Sequence, residues 1–236
     1  MRKILSTVAT LFIACHVYAL TAGDIISQVR YLERDNNSTS YRYTDQILID
    51  RINIIQDEIS AKTACLQKRY YISTSTGTQE YRLPSDCQNI IRVGYLVSGS
   101  TDAYKKLPYT TIAGQDKENG YWQNLADGIP KEYYRRADYI GLVPAPSAAY
   151  SGTDYIQLDY NTRASSVSLT TDVPLNGNYN LYAFHQAIIY GVAAMCEYDK
   201  GNTANYTTLF TVYNDWLNRI KEIYYTEPDK NLNFTK

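Results

Sequence analysis

The chain has 236 residues, and its 23 Lys and Arg against 24 Asp and Glu leave a formal net charge of −1. Hydrophobic residues at 44% and charged residues at 20% exclude a disordered chain and predict a sizeable core. The near-neutral charge argues against a protein whose main task is to grip nucleic acid, because that needs clustered Lys and Arg. Tyrosine is unusually common, at 25 residues against 4 Phe, which suits surfaces that become buried on assembly or simply Tyr-rich strands.

The N-terminus has the pattern of a targeting segment. Arg2 and Lys3 form a basic start, an apolar run follows, and Ala19 ends an acceptable cleavage site. Cys15 closes a weak lipoprotein box. We therefore predict that residues 1–19 are a signal-like segment or an apolar N-terminal extension. No later run is long enough for a transmembrane helix, so no stable membrane association is expected.

Two helices are predicted next. The first follows Thr21, which can cap it, and ends near Asn36. Its apolar face consists of Ile25, Ile26, Val29 and Leu32. The second follows Thr44 and extends to about Lys68. Its apolar stripe consists of Leu48, Ile52, Ile55, Ile59 and Leu66. Stripes of this kind are expected to pack against other helices.

From residue 69 the hydrophobic period changes from helical to alternating, which predicts a β-rich insertion over residues 69–174. A loop-rich stretch, 101–128, interrupts the strands and leaves room for one short helix. The predicted strands are 69–75, 79–83, 89–97, 132–136, 138–143 and 154–160. Several short strands with turns between them indicate an antiparallel sandwich or a barrel-like region.

Helices return at about Tyr179, where an apolar stripe begins that ends before the stop signal at Gly201. The last helix is predicted from about Asn205 to Tyr225. Apolar and aromatic residues spaced by four and three form a heptad-like seam along it: Tyr206, Phe210, Tyr213, Leu217, Ile220 and Tyr224.

This order of elements predicts an α+β fold. Two N-terminal and two C-terminal helices, in residues 20–68 and 175–226, can pack as one helical bundle. The antiparallel β-rich insertion, residues 69–174, lies between the two pairs. Residues 227–236 then form a short polar tail with an apolar pair, Leu232 and Phe234.

The sequence contains no catalytic signature. Motifs for nucleotide binding and for serine hydrolases are missing. His185 lies beside apolar Phe184 on a predicted helix, which indicates a structural histidine. Asp154 and Asp159 fall on opposite faces of a strand, which argues against an acid–base pair. The cysteines are too far apart in sequence to indicate a zinc site: Cys15, Cys65, Cys87 and Cys196. We therefore predict no enzyme, no cofactor and no metal site.

Four features occur in a fixed order along the chain. A strand pair closes on Gln79–Asp86, a later strand ends in P-x-P within Tyr139–Pro146, and a third strand covers Tyr155–Tyr160. Pro174 and Leu175 then lead into the two closing helices. In this order and spacing the chain, from about Leu20 to Tyr225, resembles the head–tail connector (adaptor) proteins of tailed bacteriophages.

The resemblance implies a virion structural protein that assembles in the host cytoplasm. Such adaptors form a ring, usually of twelve copies, beneath the portal protein. The ring extends the channel through which double-stranded DNA passes without sequence specificity, and it supports the tail or nozzle protein. A near-neutral chain suits this channel, because DNA must slide through it without sticking.

The resemblance also assigns roles to individual residues. The helices would form the ring wall, with ring packing at Tyr206, Phe210, Tyr213 and Leu217. The tail would dock onto the portal through Pro228, Leu232, Phe234 and Lys236. A structural turn would be formed by Tyr81, Leu83, Pro84, Pro144 and Pro146.

A second interpretation stays open at this point. A secreted or lipid-anchored bacterial surface protein, with a Tyr-rich β-region that binds carbohydrate or a protein partner, would explain residues 1–19 as a cleaved signal. The adaptor interpretation requires a retained extension instead, because cleavage and export conflict with assembly in the cytoplasm. The mass of the mature chain separates the two.

Overall fold

The computed structural model of the chain describes residues 19–35, 37, 39–97, 103–118 and 120–224. Its first two helices are α1, Ala22–Glu33, and α2, Asp45–Thr63. Both begin as the sequence predicts, because the hydroxyl of Thr21 or Thr44 accepts a hydrogen bond from an N–H of the first turn. The predicted end of α2, at about Lys68, was wrong. Ala64 adopts the left-handed conformation (φ 55°), which stops the helix.

Seven strands occur in the described part of the insertion, and they form two antiparallel sheets. The strands are β1 (Gln67–Ile72), β2 (Glu80–Arg82), β3 (Cys87–Leu96), β4 (Tyr104–Lys106), β5 (Glu132–Arg136), β6 (Tyr139–Val143) and β7 (Ile156–Thr162). One sheet has the order β1-β7-β3-β4 and the other β2-β6-β5. The expected short helix is α3, Ile112–Glu118, whereas β4 was missed within the stretch predicted as loop.

The two sheets share one hydrophobic core. Leu158 of β7 and Val93 of β3 contribute to it from the four-stranded sheet, and Ile140 and Leu142 of β6 from the three-stranded sheet; all four are fully buried. Because side chains alternate along a strand, each sheet gives one face to this core. Together with the helices, the two antiparallel sheets confirm the mixed α+β class.

Two long helices close the fold, α4 (His185–Asp199) and α5 (Thr203–Tyr224). The residues predicted to begin α4 form a 3₁₀ segment instead, Tyr179–Phe184, which the side chain of Asn178 caps. None of the helices in the described part of the chain has the length and apolar character that a bilayer span requires.

Helices α1, α2, α4 and α5 pack around a second hydrophobic core, in which α4 contacts each of the other three. The predicted stripe of α2 is buried there, and so are Ile25, Ile26 and Val29 of α1. Leu32 was expected to belong to the same face, but it is 39% exposed. It lies in the last turn of α1, at the edge of the helical core rather than inside it.

A pair of side-chain amides on α2 joins the helices to the segment that follows β7. Asn53 exchanges two hydrogen bonds with the backbone of Val167, at 2.8 and 2.9 Å. Gln56, 1% exposed, donates to the carbonyl of Ser165 and accepts from the N–H of Leu175, both at 2.9 Å. These bonds satisfy the polar backbone groups of a buried connection, and they fix the path by which the chain returns from the insertion to the helices.

Candidate functional surfaces

The predicted structural turn connects two motifs that are distant in sequence. The hydroxyl of Tyr81 donates a hydrogen bond to the carbonyl of Thr78 (2.7 Å) and accepts one from the N–H of Ser75 (3.2 Å). The carbonyl of Pro146 accepts a hydrogen bond from the N–H of Gly77 in the same turn (2.9 Å). The motif around Tyr81 and the P-x-P motif therefore meet at one turn between β1 and β2.

The other residues of these motifs make local backbone contacts. Leu83 is buried, and its N–H donates to the carbonyl of Asp138 (2.8 Å). The carbonyl of Pro84 accepts from the N–H of Cys87 (3.0 Å) and closes the turn into β3. Pro144 directly follows β6. These contacts stabilise the local backbone, and none of them involves a reactive group.

Asp86, at the end of the first motif, is a polar centre that the sequence did not single out. Its carboxylate accepts hydrogen bonds from the hydroxyls of Tyr160 (2.9 Å) and Thr162 (2.8 Å) and from the ammonium of Lys68 (2.7 Å). Burial acts to raise the pKa of Asp86, but these three hydrogen bonds outweigh it and lower the pKa. The carboxylate thereby fastens β1 and β7 to the turn before β3.

The seam on α5 was expected to pack against neighbouring copies. In the structure, some of its residues are buried and others are accessible. Tyr213 and Leu217 are only 1% and 3% exposed, because they pack in the helical core of their own chain. Side chains this enclosed make most of their contacts within their own subunit, and the ring-packing role of these two residues stays a prediction. Tyr206 is half-buried and Phe210 is 37% exposed, so both remain accessible.

A groove of about 290 Å³ lies between α2, α4 and α5, beside these accessible residues. The ring of Tyr198 is 5.5 Å from that of Tyr206, which in turn stacks on Phe210 at 5.3 Å. Tyr198 is 70% exposed, and Ile54 of α2, on the groove's other wall, is 55% exposed. We call this the aromatic groove and define it by Ile54, Glu58, Tyr198, Asp199, Tyr206 and Phe210.

The aromatic groove also contains polar groups. The hydroxyl of Tyr213 is buried near the Glu58 carboxylate but makes no close hydrogen bond to a described residue. Burial, and after it the charge of Glu58, raises the pKa of Tyr213. Two carboxylates lie at the rim. Glu58 is paired with Lys62 on α2, and Asp199 is paired with Arg51. Both pairs are partly exposed, so their carboxylates face solvent as well as their partners.

A second groove, of about 270 Å³, lies between α1 and α4. Tyr31, 75% exposed, is its most prominent side chain, and Arg34 follows one turn later at the end of α1. We call this the α1–α4 face and define it by Tyr31, Leu32, Ile189 and Tyr190. Sequence reasoning missed it, although an aromatic residue placed off the buried stripe of its helix was an available signal.

The one histidine considered for catalysis is enclosed in the helical core. His185 is 0% exposed, and its Nδ1 accepts a hydrogen bond from the N–H of Leu20 at 3.2 Å. Burial lowers the pKa of His185 to about 4, against the opposing effect of the Pro174 carbonyl. The imidazole is therefore neutral near pH 7 and positions the backbone before α1. Across the described ranges, no group of three or more His, Cys, Asp and Glu residues could hold a metal ion.

A buried charge cluster joins the end of α1 to the end of α4. The ammonium of Lys200 contacts both Glu33 and Glu197, the latter at 2.8 Å. The two glutamate side chains are 2% and 7% exposed, and a proton on Glu33 joins the two carboxyl groups by a hydrogen bond. Burial raises the pKa of Glu33 to about 7, and Lys200 only partly offsets this effect.

This cluster predicts a pH-dependent stability that the substitution Glu33→Gln should remove. The folded chain holds the Glu33 proton to about pH 7, whereas the unfolded chain releases it near the ordinary value of 4.5. Raising the pH through this interval therefore removes protons that the folded state binds more tightly, and it lowers the free energy of unfolding. As the pH rises from 4.5 to 7.5, the free energy of unfolding of the Glu33→Gln variant should therefore increase by about 2 to 3 kcal/mol relative to that of the unchanged chain.

Urea titrations at several pH values would measure this difference. Glu222→Gln, an exposed substitution on α5, is the matched control and should give a difference that does not change with pH. His185 contributes with the opposite sign in both chains, because its lowered pKa costs stability as the pH falls below 6.5, and it cancels in the comparison. A pH-independent difference for Glu33→Gln would show that the buried carboxyl does not retain its proton.

The predicted portal-docking residues lie outside the described residues: Pro228, Leu232, Phe234 and Lys236. The same holds for residues 1–18 of the predicted N-terminal extension. Where the tail docks thus stays a prediction from the sequence.

Comparison with known proteins agrees with the order of motifs along the chain. No curated protein matches the chain. A family model described as SU10 adaptor protein matches residues 20–229, which include all of the described helices and strands. The resemblance to phage adaptors seen in the sequence is therefore confirmed. The chain belongs to the SU10 adaptor protein family, a family of bacteriophage adaptor proteins.

Proposed function

We propose that this chain is the head–tail adaptor of a tailed bacteriophage, a virion structural protein that forms a ring beneath the portal. The observation that carries the proposal is the family match over residues 20–229. The ring has twelve copies, extends the channel for double-stranded DNA, and joins the capsid to the tail or nozzle protein. The protein has no catalytic turnover in this role.

Accessible aromatic residues support the ring. Tyr206 and Phe210 lie along the aromatic groove, and Tyr198 adds a third ring beside them. Tyrosine is enriched at protein interfaces because its ring is apolar and its hydroxyl tolerates water before assembly. In the proposed ring, Tyr206 and Phe210 pack against a neighbouring copy, whereas Tyr213 and Leu217 stabilise the subunit itself.

The composition supports the channel and the docking tail. A net charge of −1 gives no strong attraction to the phosphate backbone, so DNA can slide through the ring. Residues 227–236 follow α5 and are polar apart from Leu232 and Phe234. In the proposed assembly this tail docks onto the portal, with the two apolar residues as its anchors.

The test is to look for the chain in purified virions. Intact-mass spectrometry of disassembled particles should find it, and native mass spectrometry of the isolated portal–adaptor complex should give the copy number. Empty capsids that have not yet bound tails are a matched control, because they show whether the chain joins before or with the tail. Absence of the chain from virions, with a chain starting near Leu20 in a secreted fraction, would overturn the proposal and favour a surface-binding protein.

A further inference from the structure

The helical part of the chain carries two different apolar grooves, and both involve α4. Gln186, Ile189 and Tyr190 belong to the α1–α4 face. The α4 residues that line the aromatic groove are Gly191, Ala194, Met195, Tyr198 and Asp199. At about 100° per residue, the two sets are centred roughly 150° apart around α4. The grooves therefore lie on nearly opposite sides of this central helix.

The two grooves differ in shape and charge. The α1–α4 face presents Tyr31, which projects into solvent at 75% exposure. Arg34 lies one turn further on, is exposed, and has no ion pair with another described residue. The aromatic groove is a concave site with Glu58 and Asp199 at its rim. One side thus offers an aromatic side chain beside a cation, and the other a cavity edged by carboxylates.

An assembly that closes into a ring through one repeated contact uses two different patches on each subunit. Two apolar patches on opposite sides of α4 meet that requirement, whereas a single patch paired with itself would give a two-fold dimer. Charge complementarity favours pairing of the α1–α4 face with the aromatic groove, because this pairing brings Arg34 to the carboxylates of Glu58 and Asp199, which are partly exposed beside their own cations.

We propose that the aromatic groove receives Tyr31 of a neighbouring copy, and that Arg34 of that copy lies against Glu58 and Asp199. The inference rests on the proposed ring and names the two faces that build it. The ring of Tyr31 packs among Ile54, Tyr198 and Phe210. Its hydroxyl enters the groove that contains the Tyr213 hydroxyl. Buried together, the hydroxyls of Tyr31 and Tyr213 can hydrogen-bond to each other. In the separate subunit the first faces water and the second makes no close hydrogen bond to a described residue.

Cross-linking of cysteine variants tests the pairing in the assembled portal–adaptor complex. Tyr31→Cys and Ile54→Cys are both exposed substitutions, and they are made singly and together. The complexes are assembled well above the concentration at which rings form, because Tyr31→Cys is itself expected to weaken assembly. A short bis-maleimide should give a ladder of linked copies for the double variant. An equal mixture of the two single variants should give dimers only, and either single variant alone should give neither. The unchanged chain measures the background from its native cysteines, of which Cys65 and Cys196 are buried.

A second measurement uses the removal of the aromatic side chain. Tyr31→Ala should raise the concentration needed for ring assembly at least about tenfold, because interface tyrosines often contribute more than 1.4 kcal/mol. Tyr121→Ala is the matched control, since Tyr121 is 81% exposed and lies on the β-rich part. It should assemble normally.

The outcomes separate this inference from the proposed function. A ring that forms without cross-links in the double variant, or that tolerates Tyr31→Ala, overturns the assignment of the two faces and leaves the adaptor role intact. Cross-links from a single variant alone would indicate a two-fold contact and would also overturn it. A complex without any ring of this chain overturns both proposals.

Discussion

A chain truncated after Pro228, without Asp229–Lys236, should fold normally and fail to bind the portal. The deletion removes the apolar anchors Leu232 and Phe234, whereas the described core ends with α5 at Tyr224. Buried apolar anchors often contribute 2 kcal/mol or more at an interface, so loss of both should weaken docking by more than about a hundredfold. Pull-down of the chain on purified portal and native mass spectrometry of the mixture would measure the loss.

Two double substitutions within the tail sharpen this test. Leu232→Ala with Phe234→Ala should abolish docking as the deletion does. Asn231→Ala with Asn233→Ala changes the polar neighbours of the anchors and should leave docking within about threefold, because rim residues contribute little. Circular dichroism and thermal melting of each variant establish that the fold is retained. Unchanged portal binding by the truncated chain would contradict the docking role of the tail.

The substitution Gly141→Ala should destabilise the β-rich region severely. Gly141 lies on β6, the central strand of its sheet, and the ring of Tyr134 crosses directly over it. A methyl group at Gly141 would stand 2.0 Å from a ring carbon of Tyr134. The ring has little freedom to move, because Trp122 packs against it at 5.2 Å and its hydroxyl donates to Glu80 at 2.9 Å. We expect a loss of about 3 kcal/mol or more in the free energy of unfolding.

Urea titration of the purified chain would measure this loss. Gly128→Ala is the matched control, because a methyl group there would meet its nearest atom at 3.6 Å, an ordinary contact. It should change stability by less than about 1 kcal/mol. Tyr134→Leu is itself destabilising, but adding Gly141→Ala to it should cost much less than in the original chain. Additive effects of the two substitutions would mean that the contact between them is not the cause.

Local rules in the sequence were sufficient for most of the helices. The hydroxyls of Thr21 and Thr44 cap α1 and α2 as their positions predicted, because capping depends on the next three residues alone. The stripe on α2 is buried for a similar reason, since a helix places every third or fourth side chain on one face. The alternating pattern before Tyr160 likewise predicted β7.

The predictions failed at features that depend on residues outside the short stretch of sequence considered. The end of α2 is set at Ala64 and by the pairing of β1 with the distant β7, so the apolar spacing up to Leu66 extended the predicted helix too far. The strand β4 has only three residues, too few for an alternating pattern, and it forms by pairing with β3. The pairing of β1 depends on a strand remote in sequence, and that of β4 on the preceding strand rather than on its own three residues.

The candidate surfaces show the same division. The sequence by itself determined the α+β class, the starts of α1 and α2, the order of motifs that identifies a phage adaptor, and the aromatic seam on α5. Only the tertiary structure decided which part of that seam stays accessible: Tyr213 and Leu217 enter the core, whereas Phe210 remains exposed. The physical reason is that periodicity gives the face of a helix, but the neighbouring helices decide how much of that face is covered. The same packing places Tyr31 and the aromatic groove on opposite sides of α4, which no single segment of the sequence could specify.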